Sequence, residues 1–276
     1  MNKPVIRAAD PDDIHYRNIA ALVYAEAGIV LGPEKFALIR ARLRKRISTT
    51  GCRDIASYAG LLATPAGQPE LPELISAITT NVTHFFRERR HFQTLATEVV
   101  PALRDADRSE IHAWSAGCSS GQEPLSIAMA IHEASGNMGP RPTIVATDID
   151  TKIISRARAG LYSPEETSSL SAIQREKYFH RTPDGFKVME NLQRQVQFTT
   201  MNLLGHWNIR EKLDVIFCRN VVIYFDLQAQ LALWQRFSQR LMEGGWLFIG
   251  HSERIPDPAK LGLESVGNTT YRKIHG

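Results

Sequence analysis

Cysteine is scarce in this 276-residue chain: Cys52, Cys118 and Cys218 are few, odd in number and far apart. That spacing argues against a disulfide framework or a zinc site and predicts reduced thiols in a cytoplasm. Long apolar runs are also missing. The opening MNKPVIRAADPDD has none of the apolar stretch of a secretory leader, and no later segment could span a bilayer. The expectation is a cytoplasmic protein without membrane insertion. Repeats and low-complexity tracts are absent. The formal net charge is only +4, with 13 Lys/Arg against 9 Asp/Glu in residues 1–90 and 20 of each thereafter. Charge alone therefore demands no phosphate-rich partner.

What is present is ordinary globular material. Hydrophobic residues make up 43% and charged residues 22%, enough core for one large or two smaller domains. Helical spacing of apolar residues dominates the first third: DIHYRNIAALVYAEAG (Asp13 to Gly28), LGPEKFALIRARLRKRI, DIASYAGLLA and PELISAITT. TPAGQPELP (Thr64 to Pro72) reads as a loop among them. No strand is convincing before Ser109.

Beyond that point short apolar strands alternate with helical segments. EIHAWSA, TIVATDI, QVQFTTMN, LDVIFCRN and GGWLFIGHS are the strands, with EPLSIAMAIHEA and QAQLALWQRFSQRLM among the helices. This rhythm predicts an α/β domain with a mostly parallel sheet covered on both faces. KYFHRTPDGFKVMENLQRQVQF breaks it with β-like pieces around Pro183-Asp184-Gly185, a turn signal. The expected organisation is a helical domain over 1–80 and an α/β domain over 81–276. A small antiparallel β-subdomain is expected to be inserted at about 177–198.

Ligands of open parallel sheets bind beyond the carboxyl ends of the strands. The loop Gly117–Gly121 follows the first strand, where glycines permit a tight turn and close backbone approach. A phosphate-binding loop would continue Gly-Lys-Ser/Thr; here Gln122, Glu123 and Pro124 follow. Glu123 would repel a triphosphate and attract an ammonium group, such as that of S-adenosylmethionine. The same loop also fits a plain helix entrance. Asp148 closes the next strand, where a carboxylate can accept both ribose hydroxyls or cap the helix starting near Thr151. The two features in consecutive units favour a nucleoside cofactor without phosphates. Asn202 and Leu203 end the third strand, and Arg219 and Asn220 the fourth, with Tyr224 shortly after. Each of these segments also reads as ordinary turn and core residues.

Taken in order, TTNVTHFFRE (Thr79 to Glu88), WSAGCSSGQEPLSIAM, ATDID, MNLL, FCRNVVIYFD and GHSE resemble the CheR family. Its members are chemotaxis receptor methyltransferases, which methylate glutamates on receptor cytoplasmic helices. The resemblance covers essentially the whole chain. It implies a Rossmann-like S-adenosylmethionine-dependent domain with a small inserted antiparallel β-subdomain, preceded by an all-α domain. It further implies S-adenosylmethionine as cofactor, S-adenosylhomocysteine as product, and no metal. By position, Asn81, Thr83 and Arg87 are expected to contact the cofactor, Arg87 pairing with the methionine carboxylate. Glu123 then takes the ammonium, Asp148 the ribose, and Asn202 with Leu203 the adenine side. Arg219 and Asn220 complete the expected cofactor-binding set near the reacting end, where Tyr224 also lies, with Tyr224 and Arg87 as orienting, catalytic candidates. Without the resemblance, FFRERRHF reads as an exposed charged helix.

Lys35, Arg40, Arg42, Arg44, Lys45 and Arg46 follow Glu34 with no acid between them, while Phe36, Ile39, Leu43 and Ile47 recur at helical spacing. Such a face predicts an acidic partner, and the glutamate-rich receptor helices fit it. RNA is the competing partner, but aromatic interleaving and nucleic-acid motifs are lacking. The short turn HRTPDGFKV lacks the glycine-rich extension of family members that bind a receptor C-terminal pentapeptide, so no such tether is expected. Rival readings are an NAD-dependent dehydrogenase, which Glu123 opposes, and an S-adenosylmethionine-dependent methylase of another acceptor. A nucleic-acid amine methylase would carry an Asn-Pro-Pro-Tyr-like stretch where this chain has Arg-Asn-Val-Val. A non-catalytic receptor-docking module is the third.

Overall fold

Apolar residues three and four apart shape the helices of the N-terminal unit. In α1 (Asp13–Ala27) Tyr16, Ile19, Val23 and Ala27 are buried, and in α2 (Phe36–Thr49) Phe36, Ile39 and Leu43 are. Completing the set are α3 (Ile55–Leu62), whose start is fixed by a capping box between Asp54 and Ser57, and α4 (Leu71–Ile78). The computed structural model describes residues 12–136 and 139–274. They divide into two compact units, Met1–Thr80 and Asn81–Gly276. Thr64–Pro72 is more ordered than the loop its prolines suggest. Pro65–Glu70 winds into a 3₁₀ turn, and Pro72 sits in the first turn of α4, where the missing N–H breaks no helical bond.

The second unit opens with an irregular stretch and then α5 (Arg89–Thr94), a π turn (Leu95–Val99) and α6 (Val100–Asp105). The exposed charged helix expected for FFRERRHF is thus only half formed. Phe86 and Glu88 are left-handed, at φ 55 and 58, and Phe85 is fully buried. Strand β1 (Glu110–Ala116) leads into α7 (Gln122–Ser135), then β2 (Arg141–Asp148) and α8 (Thr151–Ala159). After the inserted segment come β6 (Val196–Thr200), β7 (Leu213–Cys218), α11 (Leu227–Arg240), β8 (Leu241–Ile249), β9 (Leu263–Gly267) and β10 (Thr270–Lys273).

The seven strands run in the order β6-β2-β1-β7-β8-β10-β9. Pairings from β6 through β8 are parallel, and β10 is antiparallel to both its neighbours. Side chains alternate between two cores. Ile111, Ala113, Val215, Phe217 and Phe248 face one layer with Leu125 and Met129. Trp114, Ile216, Leu247 and Ile249 face the other with Trp234 and Phe237. The inserted subdomain is a three-stranded antiparallel sheet of β3 (Leu161–Tyr162), β4 (Phe179–Thr182) and β5 (Gly185–Val188), in the order β3-β5-β4. It includes α9 (Ala172–Tyr178) and is followed by α10 (Glu190–Gln193). It therefore starts earlier than residue 177 and ends before 198, because residues 196–198 already pair with β2. Among the described residues, no helix is long and apolar enough to cross a membrane.

Candidate active site

The chain leaves β1 towards β2 and β6 on one side and returns through β7 and β8 on the other. The carboxyl ends of β1 and β7 therefore diverge at a topological switch point, the place where open α/β sheets bind ligands. The loop after β1 turns sharply there. Gly117 and Gly121 adopt φ 88 and 96, and a Cβ on Gly117 would lie 2.2 Å from Val221 Cγ2. Gly117 thus lets the loop after β1 close on the loop after β7.

Arg219, the first residue after β7, occupies the cleft between those loops. Its side chain is 1% exposed, and its Nη1 reaches Glu123 Oε2 at 3.0 Å. Nη2 donates to the Arg87 carbonyl oxygen and lies 3.3 Å from Glu88 Oε2. The guanidinium also stands 5.7 Å from the Phe92 ring centre and 6.0 Å from that of Phe217. Ser115 Oγ donates to the other Glu123 oxygen at 2.8 Å. Glu88 in turn accepts from the exposed His251, Nδ1 to Oε1 at 3.1 Å. Burial pushes the Glu123 carboxyl up, against the pull of Arg219 and the Ser115 hydroxyl. Burial acts likewise on Glu88, but Arg219 and His251 hold that carboxyl below its usual range. With both acids ionised, Glu88, Arg219 and Glu123 sum to one negative charge.

A second cluster forms where β2 ends. The side chain that caps α8 belongs to Asp150, whose Oδ1 accepts from Lys152 N at 2.9 Å and Ile153 N at 3.3 Å. Asp148 is released from that task. Its oxygens accept from Ser119 N at 2.9 Å and Asp150 N at 3.0 Å, and the residue stays half-buried. Burial raises its carboxyl, opposed by those N–H groups. Asn81 ties in from the start of the unit, donating to Asp150 Oδ2 at 2.9 Å and accepting from Ser119 Oγ at 2.9 Å. The end of β6 joins through Met201 N, which donates to the Asp148 carbonyl at 2.9 Å. Asn202 there accepts from Leu204 N, and Leu203 is buried. Thr83 is half-buried, and Arg87 Nη1 donates to the Val82 carbonyl at 3.1 Å. Asn220 is left-handed at φ 59, and the half-buried Tyr224 ends a 3₁₀ turn, Val222–Tyr224.

Four contributors were not legible as such: Ser115, Glu88, Asp150 and Glu253. Glu88 is an acid flanked by arginines in FFRERRHF, an oddity that could have marked it as a paired charge. Glu253 closes GHSE and is buried, its burial raising a carboxyl that four backbone N–H groups stabilise as the anion.

The predicted basic face of α2 is largely engaged within its own unit. Arg46 makes a bidentate pair with Glu70, at 2.8 and 2.6 Å, and reaches Glu73 at 2.8 Å. Tyr58 donates to the same Glu70 at 2.8 Å. Arg42 donates to the carbonyls of Ile78 and Thr79 and to Thr80 Oγ1, and Arg40 lies over the Tyr16 ring at 5.2 Å. Arg44 and Lys45 project into solvent. Within this row Arg46 is the cation paired with carboxylates of its own unit, and Arg42 bonds neutral acceptors.

The site has the features a polar nucleoside ligand would satisfy. The Nε–H of Arg219 is buried without a protein acceptor, and Asp148 is a half-buried carboxylate with no capping duty. Residues 81–271 match the family model "CheR methyltransferase, SAM binding domain", and residues 14–79 match "CheR methyltransferase, all-alpha domain". A "Probable chemotaxis protein methyltransferase" of Rhizobium etli is 42% identical over 91% of this chain and 96% of its own length. The "Chemotaxis protein methyltransferase" of Escherichia coli is 39% identical over 88% and 85%. "Chemotaxis protein methyltransferase 2" of Pseudomonas aeruginosa is 38% identical over 93% and 91%. The chain belongs to the CheR methyltransferase family.

Proposed function

We propose that this protein transfers a methyl group from S-adenosylmethionine to glutamate side-chain carboxylates of chemotaxis receptors, giving glutamyl methyl esters. The coarser part follows from the family: the chain has an S-adenosylmethionine-binding domain and is a methyltransferase of chemotaxis. The observation that carries the reading at the site is the meeting of the loops after β1 and β7 through Glu123 and Arg219. Beside it, Asp150 caps α8, so that Asp148 has no part in the cap.

S-adenosylmethionine, when bound, supplies a methyl group activated on a sulfonium. Asp148 is the residue suited to the ribose hydroxyls, and Glu123 to the amino acid's ammonium, with Glu88 adding negative charge behind Arg219. Arg87 suits the methionine carboxylate, and Asn202 with Leu203 the adenine side. Asn81 orders this edge through Asp150 and Ser119. Glutamate is ionised at neutral pH, so the chain need not supply a general base. Its task is alignment of the acceptor and removal of water from it, and Tyr224 with Arg87 are the orienting groups. The all-α unit serves receptor docking, with Arg44 and Lys45 as the cations turned outward to an acidic helix.

The test is label transfer from methyl-labelled S-adenosylmethionine to a receptor cytoplasmic fragment, followed by mild base. Labelled methanol is the expected product of a carboxyl ester. Base-stable label would refute the glutamate assignment and point to another acceptor.

A further inference from the structure

GHSE contributes a residue with no capacity to touch a ligand directly. Glu253 lies in the connection after β8 and is 4% exposed. Its Oε2 accepts from Gly250 N at 2.6 Å and Asn220 N at 3.1 Å. Its Oε1 accepts from Val221 N at 2.9 Å and Val222 N at 3.0 Å. A carboxylate offers about four acceptor directions, and here all are taken by backbone N–H groups. Those groups need an acceptor. The 3₁₀ turn Val222–Tyr224 begins with N–H groups that have no acceptor within the turn, and its own leading residue, Val221, offers no side-chain cap.

We propose that Glu253 is a positioning residue for methyl transfer, a cap supplied from a distant segment that fixes the turn carrying Tyr224. The inference rests on the functional reading above. Gly250 supports it independently. A Cβ there would lie 2.7 Å from both Asn220 N and Nδ2 and 2.9 Å from Glu253 Oε2. Glycine at 250 thus leaves room for the contact between the two loops. Asn220 is held left-handed by the same contacts.

The two ends of the loop rest on different carboxylates. Arg219 is held by Glu123, Glu88 and the Arg87 carbonyl, whereas the loop's bonds to Glu253 begin at Asn220; His251, two residues before Glu253, joins the two sets through Glu88. Loss of Glu253 therefore frees residues 220–224 first, while Glu123 and the Arg87 carbonyl still hold Arg219. The signature is a fall in kcat with the cofactor grip kept, which loss of general stability does not produce.

The experiment measures three quantities on the full chain: turnover with a receptor cytoplasmic fragment, S-adenosylmethionine affinity by calorimetry, and melting temperature. Glu253→Gln keeps an acceptor oxygen but turns an amide NH₂ towards backbone donors. Its kcat should fall about 10- to 100-fold, the scale of a misplacement near 1 Å, with affinity within about threefold. Glu253→Asp keeps the charge and should recover part of the loss. Gly250→Ala disturbs the same contact from the other side, and should reproduce the kcat loss if Glu253→Gln does not fold. Ser171→Ala removes the capping box of α9, away from the loop, and should lower melting without the kcat loss. Wild-type turnover with an unimpaired Glu253→Gln overturns the inference alone, as does a parallel loss of kcat and affinity. No transfer by the wild-type chain overturns the functional reading, and this inference with it.

Discussion

Replacing Arg219 with leucine is the sharpest probe of the cleft. The guanidinium is 1% exposed and is held between Glu123 at 3.0 Å and Glu88 at 3.3 Å. Leucine fills the space between Phe92 and Phe217 but leaves Glu123, 11% exposed, with only the Ser115 hydroxyl. An uncompensated buried carboxylate costs about 3–5 kcal/mol of stability. Glu123→Gln leaves Arg219 its Glu88 and carbonyl partners and should cost about 1–3 kcal/mol. The double variant places a neutral amide beside leucine, so its cost should fall short of the sum by about 1–3 kcal/mol. Denaturant unfolding without ligand, at neutral pH, supplies the cycle. Trp114, Trp207, Trp234 and Trp246 all lie in the second unit, so tryptophan fluorescence reports that unit alone. A single-variant cost under about 1 kcal/mol, or additivity within about 0.5 kcal/mol, would refute the buried pair as described.

Three further outcomes follow from His91, Asp148 and Asp150. His91 is buried against Phe217 and Phe248, and burial, then Arg219, depress its pKa to about 4. The unfolded imidazole titrates near 6.5, so between those values the unfolded chain binds a proton that the folded chain does not. Stability is therefore complete above about pH 6.5 and falls by on the order of 3 kcal/mol as the pH drops towards about 4. His91→Gln should flatten the profile in that window, and matching profiles would contradict a neutral buried His91. Asp148→Asn should weaken S-adenosylmethionine binding about 10- to 100-fold with little change in melting. Asp150→Ala, by losing the α8 cap, should cost about 1 kcal/mol of stability. Calorimetry and melting that show the reverse pattern would exchange the two roles.

Much of the α/β unit was legible because β1, β2 and β7 are short apolar runs bounded by turn residues. The strands β9 and β10 were not, since Glu264, Ser265 and Val266 face solvent and lack the apolar alternation of a buried strand. β3 is a pair of residues, too short to carry a period, so the inserted sheet was placed late in the chain. At the site, residue types and order were readable, but partners distant in sequence were not. Arg46 reads as a free cation until Glu70 and Glu73 are brought beside it by α4 and the turn before it. Asp148 and Asp150 are equivalent in ATDID as far as residue type goes, and only the path of the backbone into α8 distinguishes ligand candidate from cap. Glu253 gave no periodic signal, because its work is done on a backbone some thirty residues earlier.

The switch-point cleft draws its groups from stretches around residues 81–88, 115–123, 148–150, 202–203, 219–224 and 250–253, linked by few local contacts. No contiguous fragment of the second unit contains it. A chain that has formed β1, β2 and their helices still lacks Arg219 and Glu253, so the cleft is completed only when the returning strands are in register. Ligand affinity at this cleft would thereby depend on complete folding of the unit. A ligand of this cleft would stabilise the unit by mass action, and a chain with half a sheet would present only the part built on Asn81, Ser119, Asp148 and Asp150.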